Sequence, residues 1–312
     1  MLKFITKRLG MSILTIFFII TLTFFLMHAV PGNPLQQEGK IPATVYQNLR
    51  VRYGLDKSTG EQYIIYLKNI ARFDFGESMK SKTETVNEMI ARGFPVSLRL
   101  GLQALLYAVI VGVLLGSLAA IYQNKAPDYI CMIFALIGIS VPSFIMGTIL
   151  IQFVAKNTSI PISGWGTFKH TILPSIALCL MPTAQIARLM RSSMLEVLNQ
   201  DYMKTARSKG LKKSAVILKH AIRNSILPVV SSLGTIATDV LVGSFVVEKI
   251  FGIPGLGRFF IKSITDRDYT LIMGTTVFYG IVLVLMLLIV DIAYVFIDPR
   301  IKLTGGKNWW IN

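Results

Sequence analysis

The sequence predicts an all-α integral membrane protein with six transmembrane helices. Three observations lead there. Hydrophobic residues make up 53% of the 312 and charged residues 15%, with a mean hydropathy of +0.60, a balance too apolar for a soluble domain of this length. Apolar runs long enough to cross a bilayer lie near 9–30, 99–122, 129–154, 171–190, 229–248 and 271–297. Lys and Arg gather in the connections between these runs, so the net charge of +16 reads as membrane topology. No aromatic-interleaved basic domain accompanies it, which sets nucleic acid aside as a partner.

The first run follows Lys3, Lys7 and Arg8, as the core of a signal peptide would. It lasts about 22 residues, close to the 20 or so a spanning helix needs, and no small-residue cleavage pattern follows. Residues 1–30 are therefore an N-terminus and first span. The segment 31–98 is long enough to translocate whatever its charge. Within it, GEQYIIYLKNIARF places Tyr63, Tyr66, Leu67 and Ile70 on one helical side, the pattern of a small outer cap. Residues 99–297 carry the five remaining spans. Pro142, Pro174 and Pro182 fall within or near them, each predicting a kink whose freed carbonyl a neighbouring helix or water must satisfy. FGIPGLGRFF, with Gly252, Pro254, Gly255 and Gly257, reads as a tight turn before the sixth span.

Orientation follows from the basic residues of the short connections, which resist translocation. With the N-terminus in the cytoplasm, Lys125, Arg188, Arg191, Lys204, Arg207, Lys209, Lys212, Lys213, Lys219 and Arg223 lie inside. The short outer loops then hold only Lys156, Lys169, Lys249, Arg258, Lys262 and Arg267. Both termini, including the tail 298–312, are expected in the cytoplasm.

The inner connection 191–228 has a helical order of its own. Asp201 is the expected N-cap, Tyr202 to Lys209 a helix of about two turns, and Gly210 its stop. A second helix is expected from Ser214 as N-cap toward Pro228, with Val216, Ile217, Ala221 and Ile222 on its apolar side. A basic loop held on anionic membrane lipid is the plain reading. The sequence of small-residue helix, glycine, second helix and proline points instead to docking of a partner.

The chain carries no energy-coupling chemistry of its own. No GxxxxGK[ST] phosphate loop, HExxH or GxSxG occurs, Cys131 and Cys179 form no CxxC pair, and His28, His170 and His220 are scattered. No catalytic residue, metal site or cofactor is expected. Two acids stand in apolar runs, where a charge costs at least about 2.5 kcal/mol and so faces a cavity or a partner. Asp239 is mid-span with Thr235 four residues before it on the same face. It could line a path and attract a cationic group, or bond a neighbouring helix. Asp291, near Asp298 and Arg300, reads as an anchor at the inner interface.

The connection resembles the cytoplasmic signature of ABC importer permeases, Glu-Ala-Ala, three residues, Gly. The matching positions are Lys204, Thr205, Ala206 and Gly210, so only Ala206 and Gly210 keep the general pattern, and the closing Leu-Pro matches Leu227 and Pro228 farther along. TARSKGL followed by HAIRNSILPVV, together with KRLG, HAVPGNPL, RYGLD, FDFGES, PVSLRLG, EKIFGIPGLG, RDYTLIMG and IDPRI in that order, is similar to the oligopeptide, dipeptide and nickel permease B family over nearly the whole chain. The resemblance implies a type I importer permease of a bacterial cytoplasmic membrane, with Lys204, Thr205, Ala206, Gly210, Leu227 and Pro228 in an ATPase-coupling helix region. It implies a second permease subunit, two ATP-binding subunits, an extracytoplasmic peptide-binding protein and oligopeptide cargo. A nickel or metal-chelate cargo is the alternative within the family. An ion-gradient-driven transporter is the alternative outside it, and would call for ion-coordinating clusters or inverted repeats.

The topology is testable in a background lacking Cys131 and Cys179. Single cysteines at Lys212 and Gly60 are expected to react with an impermeant thiol reagent from opposite faces of the membrane. Labelling of both from one face contradicts the six-span arrangement.

Overall fold

The computed structural model describes residues 2–31, 42–81 and 83–297, and among these every regular element is helical. In order they are α1 (Leu2–Ala29), α2 (Ala43–Arg52), α3 (Thr59–Ala71), α4 (Val86–Ile121), α5 (Ala126–Ser140), α6 (Ser143–Phe153), a short 3₁₀ turn, and α7 (Phe168–Leu198). They continue with α8 (Asp201–Ser208), α9 (Lys213–Ala215), a π-helical turn (Val216–Ile222), α10 (Arg223–Ser225), α11 (Leu227–Ile250), α12 (Leu256–Asp266) and α13 (Tyr269–Ile297). The chain divides into two compact units, residues 1–95 with 255–288 and residues 96–254 with 289–312.

In the first unit, Ser58 and Glu61 close a capping box that starts α3, and the hydrogen bonds from Ser58 hold the Glu61 carboxyl below its ordinary range. The stripe expected on α3 packs inward. Ile70 is buried, Tyr66 and Leu67 lie against the same core, and Tyr63 packs on Phe24 and Phe25 of α1 while its hydroxyl bonds Thr21 at 2.7 Å. Helix α4 begins well before the apolar run that predicted it. The reason is a second capping box, in which the Thr85 amide donates to Glu88 at 2.8 Å and the Glu88 amide to Thr85 Oγ1 at 3.2 Å. The stretch expected as a turn before the sixth span is a turn only as far as Gly255, which N-caps α12. Arg258 and the two phenylalanines are helical. Asp268, almost fully buried, gathers this region by accepting from the Ser78 hydroxyl and from the amides of Met79 and Leu271, both at 3.1 Å.

In the second unit, small residues let helices meet at backbone distance, as expected where lipid leaves little hydrophobic force between helices. A Cβ on Gly116 would stand 2.4 Å from the carbonyl oxygen of Ala187. One on Gly112 would stand 2.7 Å from Ile186, and one on Gly138 2.8 Å from the Leu180 carbonyl oxygen. Helices α4 and α5 thus lie directly on α7, around buried Leu178, Ile186, Met190 and Met194.

Four helices are long and apolar enough to cross a membrane by themselves, within α1, α4, α7 and α13, and two bent pairs bring the number to as many as six. The span expected at 129–154 is one such pair. Helices α5 and α6 meet at 108° because Pro142 cannot donate its amide and drives Val141 into an extended conformation. Pro174 and Pro182, by contrast, lie inside an unbroken α7. The tail 298–312 lies outside the described residues.

The small-residue contact gives a stability prediction. Gly116→Val is expected to cost about 1–3 kcal/mol by overpacking and to lower the thermal unfolding midpoint in detergent. Gly60→Ala, where a Cβ meets nothing within 4 Å, is expected to leave it near the native value.

Candidate functional site

Helix α8 begins one residue earlier than the sequence suggested. Gln200 is its N-cap, and Asp201 sits in the first turn, where its charge suits the helix N-terminus and pairs with Lys204 Nζ at 2.9 Å. The stop falls where expected. The Lys209 amide donates to the Thr205 carbonyl at 3.1 Å and the Gly210 amide to the Arg207 carbonyl at 3.0 Å, with Gly210 at φ +74°. That left-handed conformation favours glycine for its backbone alone, since no atom lies within 4 Å of a Cβ there.

The helix has two faces. Lys204, Thr205, Arg207, Ser208 and Gly210 are exposed, whereas Met203 and Ala206 are buried in the same core as Val216 and Ala221. The small side chain of Ala206 therefore admits this chain's own helices, not an outside surface. The second helix is also revised. Lys212 is its N-cap and Ser214 lies within it. Its middle widens into the π turn, a local geometry that recurs at functional sites. The Ser225 hydroxyl, fully buried, donates to the Ala221 carbonyl at 2.8 Å, and Asn224 Nδ2 reaches the Tyr202 hydroxyl at 3.3 Å. Leu227 and Pro228, both exposed, open α11 at a 49° bend.

On α11, Thr235 and Asp239 are both exposed, in one stripe with Pro228, Val246 and Lys249. The opposite side buries Ile236, Val240, Ser244, Val247 and Glu248. The Asp239 carboxylate makes no hydrogen bond or ion pair among the described residues. Nothing within the described chain thus explains an acid in this apolar helix, and no three His, Cys, Asp or Glu side chains among the described residues converge on a metal-sized site.

Residues 112–303 match the family described as binding-protein-dependent transport system inner membrane component, and residues 1–101 match its N-terminal membrane component. The dipeptide transport system permease protein DppB of Bacillus subtilis (strain 168) is 50% identical over 97% of this chain and 99% of its own length. The chain belongs to this permease family. The oligopeptide transport system permease protein OppB of Haemophilus influenzae is 43% identical over 97% of this chain and all of its own. Two solved structures share the fold. An amino acid ABC transporter with histidines matches with a TM-score of 0.53 at 18% identity, over 66% of this chain and 92% of that one. The inward-facing MetNI methionine ABC transporter matches with a TM-score of 0.54 at 16% identity, over 67% and 96%.

Set out on the permease, the residues of the signature separate. Lys204, Thr205 and Gly210 share the exposed side of one hairpin, Ala206 faces its core, Leu227 and Pro228 mark the bend into α11, and Asp239 with Thr235 lies farther along that helix. Asp291 is half-buried in α13, and its expected neighbours Asp298 and Arg300 lie outside the described residues. Sequence reasoning missed three buried acids, Asp268 described above and two in the second unit. Glu248, fully buried, accepts from Ser244 Oγ at 2.8 Å, and the Ser-Glu spacing of i,i+4 at the end of an apolar run was the available signal. Asp128, 2% exposed, pairs with Arg191 on α7. No local pattern announces that pair, because its partners are far apart in sequence.

Proposed function

We propose that this permease is one of two membrane subunits of an ATP-driven peptide importer, coupled to separate ATP-binding subunits through the 201–228 hairpin and supplied by an extracytoplasmic binding protein. The observation that carries the reading is the two-sided α8. Its buried face is keyed into the chain's own core, while Lys204, Thr205 and the turn at Gly210 stand outward on a rigid base. A surface of that kind can transmit force from a partner, which a loosely held lipid-binding loop cannot. The chain has no phosphate-binding loop, so ATP is bound elsewhere in the assembly. The positive-inside distribution supports a cytoplasmic position for the hairpin and both termini, and the bacterial permeases this chain resembles support an inner membrane. Peptide cargo is supported by the dipeptide and oligopeptide permeases that this chain resembles along its length.

The exposed, unpaired Asp239 supports a place on the transport path, where a carboxylate in low dielectric attracts a peptide ammonium or a basic side chain.

Coupling is tested in the reconstituted complex. Gly210→Val puts a β-branched residue where φ is positive, at a cost of about 1–3 kcal/mol. It is expected to leave insertion and pairing intact while ATPase binding or substrate-stimulated hydrolysis is lost. A loop with Lys204, Arg207, Lys209, Lys212 and Lys213 replaced by Gln serves as comparison. Normal coupling in Gly210→Val, with loss only in the neutralised loop, would favour lipid anchoring and end the docking reading. Ala206→Asp belongs to a different experiment, since it places a charge in the core.

Asp239→Asn is expected to slow transport of cationic peptides more than of acidic ones, with assembly unchanged, as measured by uptake into proteoliposomes. Failed assembly together with no charge preference in the residual uptake would make Asp239 a structural bond instead.

A further inference from the structure

We propose that the Asp128–Arg191 pair is a positioning clamp, locking the end of α7 that carries α8 to the α4–α5 turn so that the spans and the coupling helix move as one piece. The inference rests on the coupling role given above to α8. Its geometry is specific. Arg191 Nε donates to Asp128 Oδ1 and Nη2 to Oδ2, both at 2.7 Å, while Oδ2 also accepts the Asn124 amide at 2.9 Å. The Asp128 side chain is 3% exposed and that of Arg191 27%. One carboxylate thereby joins three pieces of chain: the turn at Asn124, held at φ +59°, the first turn of α5, and α7.

Among the described residues this is the only side-chain hydrogen bond or ion pair joining α5 to α7. Elsewhere the two helices meet through packing, as where a Cβ on Gly138 would stand 2.8 Å from the Leu180 carbonyl oxygen. Apolar contacts resist separation but are non-directional, and neighbouring packings of similar energy allow sliding and rotation. A planar guanidinium held at two points fixes both register and angle. Its place on α7 gives this an outcome. Met190 and Met194, on either side of Arg191, are fully buried, and beyond Leu198 only Asn199 and Gln200 precede α8. The clamp therefore lies close behind the coupling helix, on the last stretch of α7 that other helices grip. Separating the pair would leave an enclosed carboxylate without its counter-charge, which opposes opening of the contact.

The test uses the full complex with Asp128→Asn and Arg191→Lys. The first removes the charge with little change of shape, and the second keeps the charge but loses the fork. Nitroxides at exposed Tyr129 and Ser208, in a background without Cys131 and Cys179, report the attitude of α8 to α5. The native distance distribution is expected to be narrow, to widen at least about twofold in Asp128→Asn, and to widen less in Arg191→Lys. In the unlabelled complexes, substrate moved per ATP hydrolysed is expected to fall about fivefold or more in Asp128→Asn, with basal hydrolysis retained. Native widths and native transport-to-hydrolysis ratios in both variants would overturn the clamp. So would a lower yield of complex whose ratio is unchanged, because the pair would then serve stability alone. If the widths respond as expected but the native chain binds no ATPase subunit, the coupling function fails while the clamp stands as geometry.

Discussion

In hydrocarbon no water is present to satisfy a stray peptide group, so a chain this apolar must close its backbone hydrogen bonds within helices and then hold those helices together without the force that drives soluble folding. Close approach does that work here. Gly112, Gly116 and Gly138 bring α4 and α5 onto the backbone of α7, and the dispersion gained along such seams replaces hydrophobic burial. The 201–228 hairpin, the Asp128–Arg191 pair and the stripe on α11 all belong to the unit built around α7. A side chain at any of the three glycines would alter their mutual placement before touching their chemistry.

The acids divide by what surrounds them. Asp128 and Glu248 are enclosed and hydrogen-bonded, as a buried carboxylate must be. In the other unit, Asp268 is enclosed by Ser78, Met79 and Leu271. Asp239 is the exception, since it stands exposed on a helix whose other side is fully packed. Desolvation would penalise that charge against lipid, whereas a wet path or a partner subunit would tolerate it. The contrast with its satisfied neighbours makes its position informative.

The hairpin combines rigidity with accessibility. Met203 and Ala206 hold α8 from beneath, Gly210 reverses the chain, and the π turn with the bend at Pro228 leads into α11. A load applied to the exposed face thus meets side chains already locked in the core. The lysines around it remain in solvent, where isolated charges contribute little to stability. They remain available to a partner or to lipid headgroups.

Apolar run length and basic-residue placement determined the class of protein, its spans and the existence of a helical basic connection, because these depend on local composition and on the cost of moving charge through lipid. The glycine stop at Gly210 was legible for a similarly local reason, since few other residues tolerate that φ. The inward turn of Ala206 was not, because its neighbours Val216 and Ala221 reach it only when the hairpin folds. The 108° break at Pro142 and the continuity of α7 through Pro174 and Pro182 show that a proline offers a bend, while the surrounding helices decide whether the chain takes it. Asp128 and Arg191 are unremarkable in sequence and become a clamp only when two distant helices are brought together. Local periodicity and solvation set the elements, whereas side-chain pairing across helices depends on three-dimensional proximity, which only the tertiary structure decided.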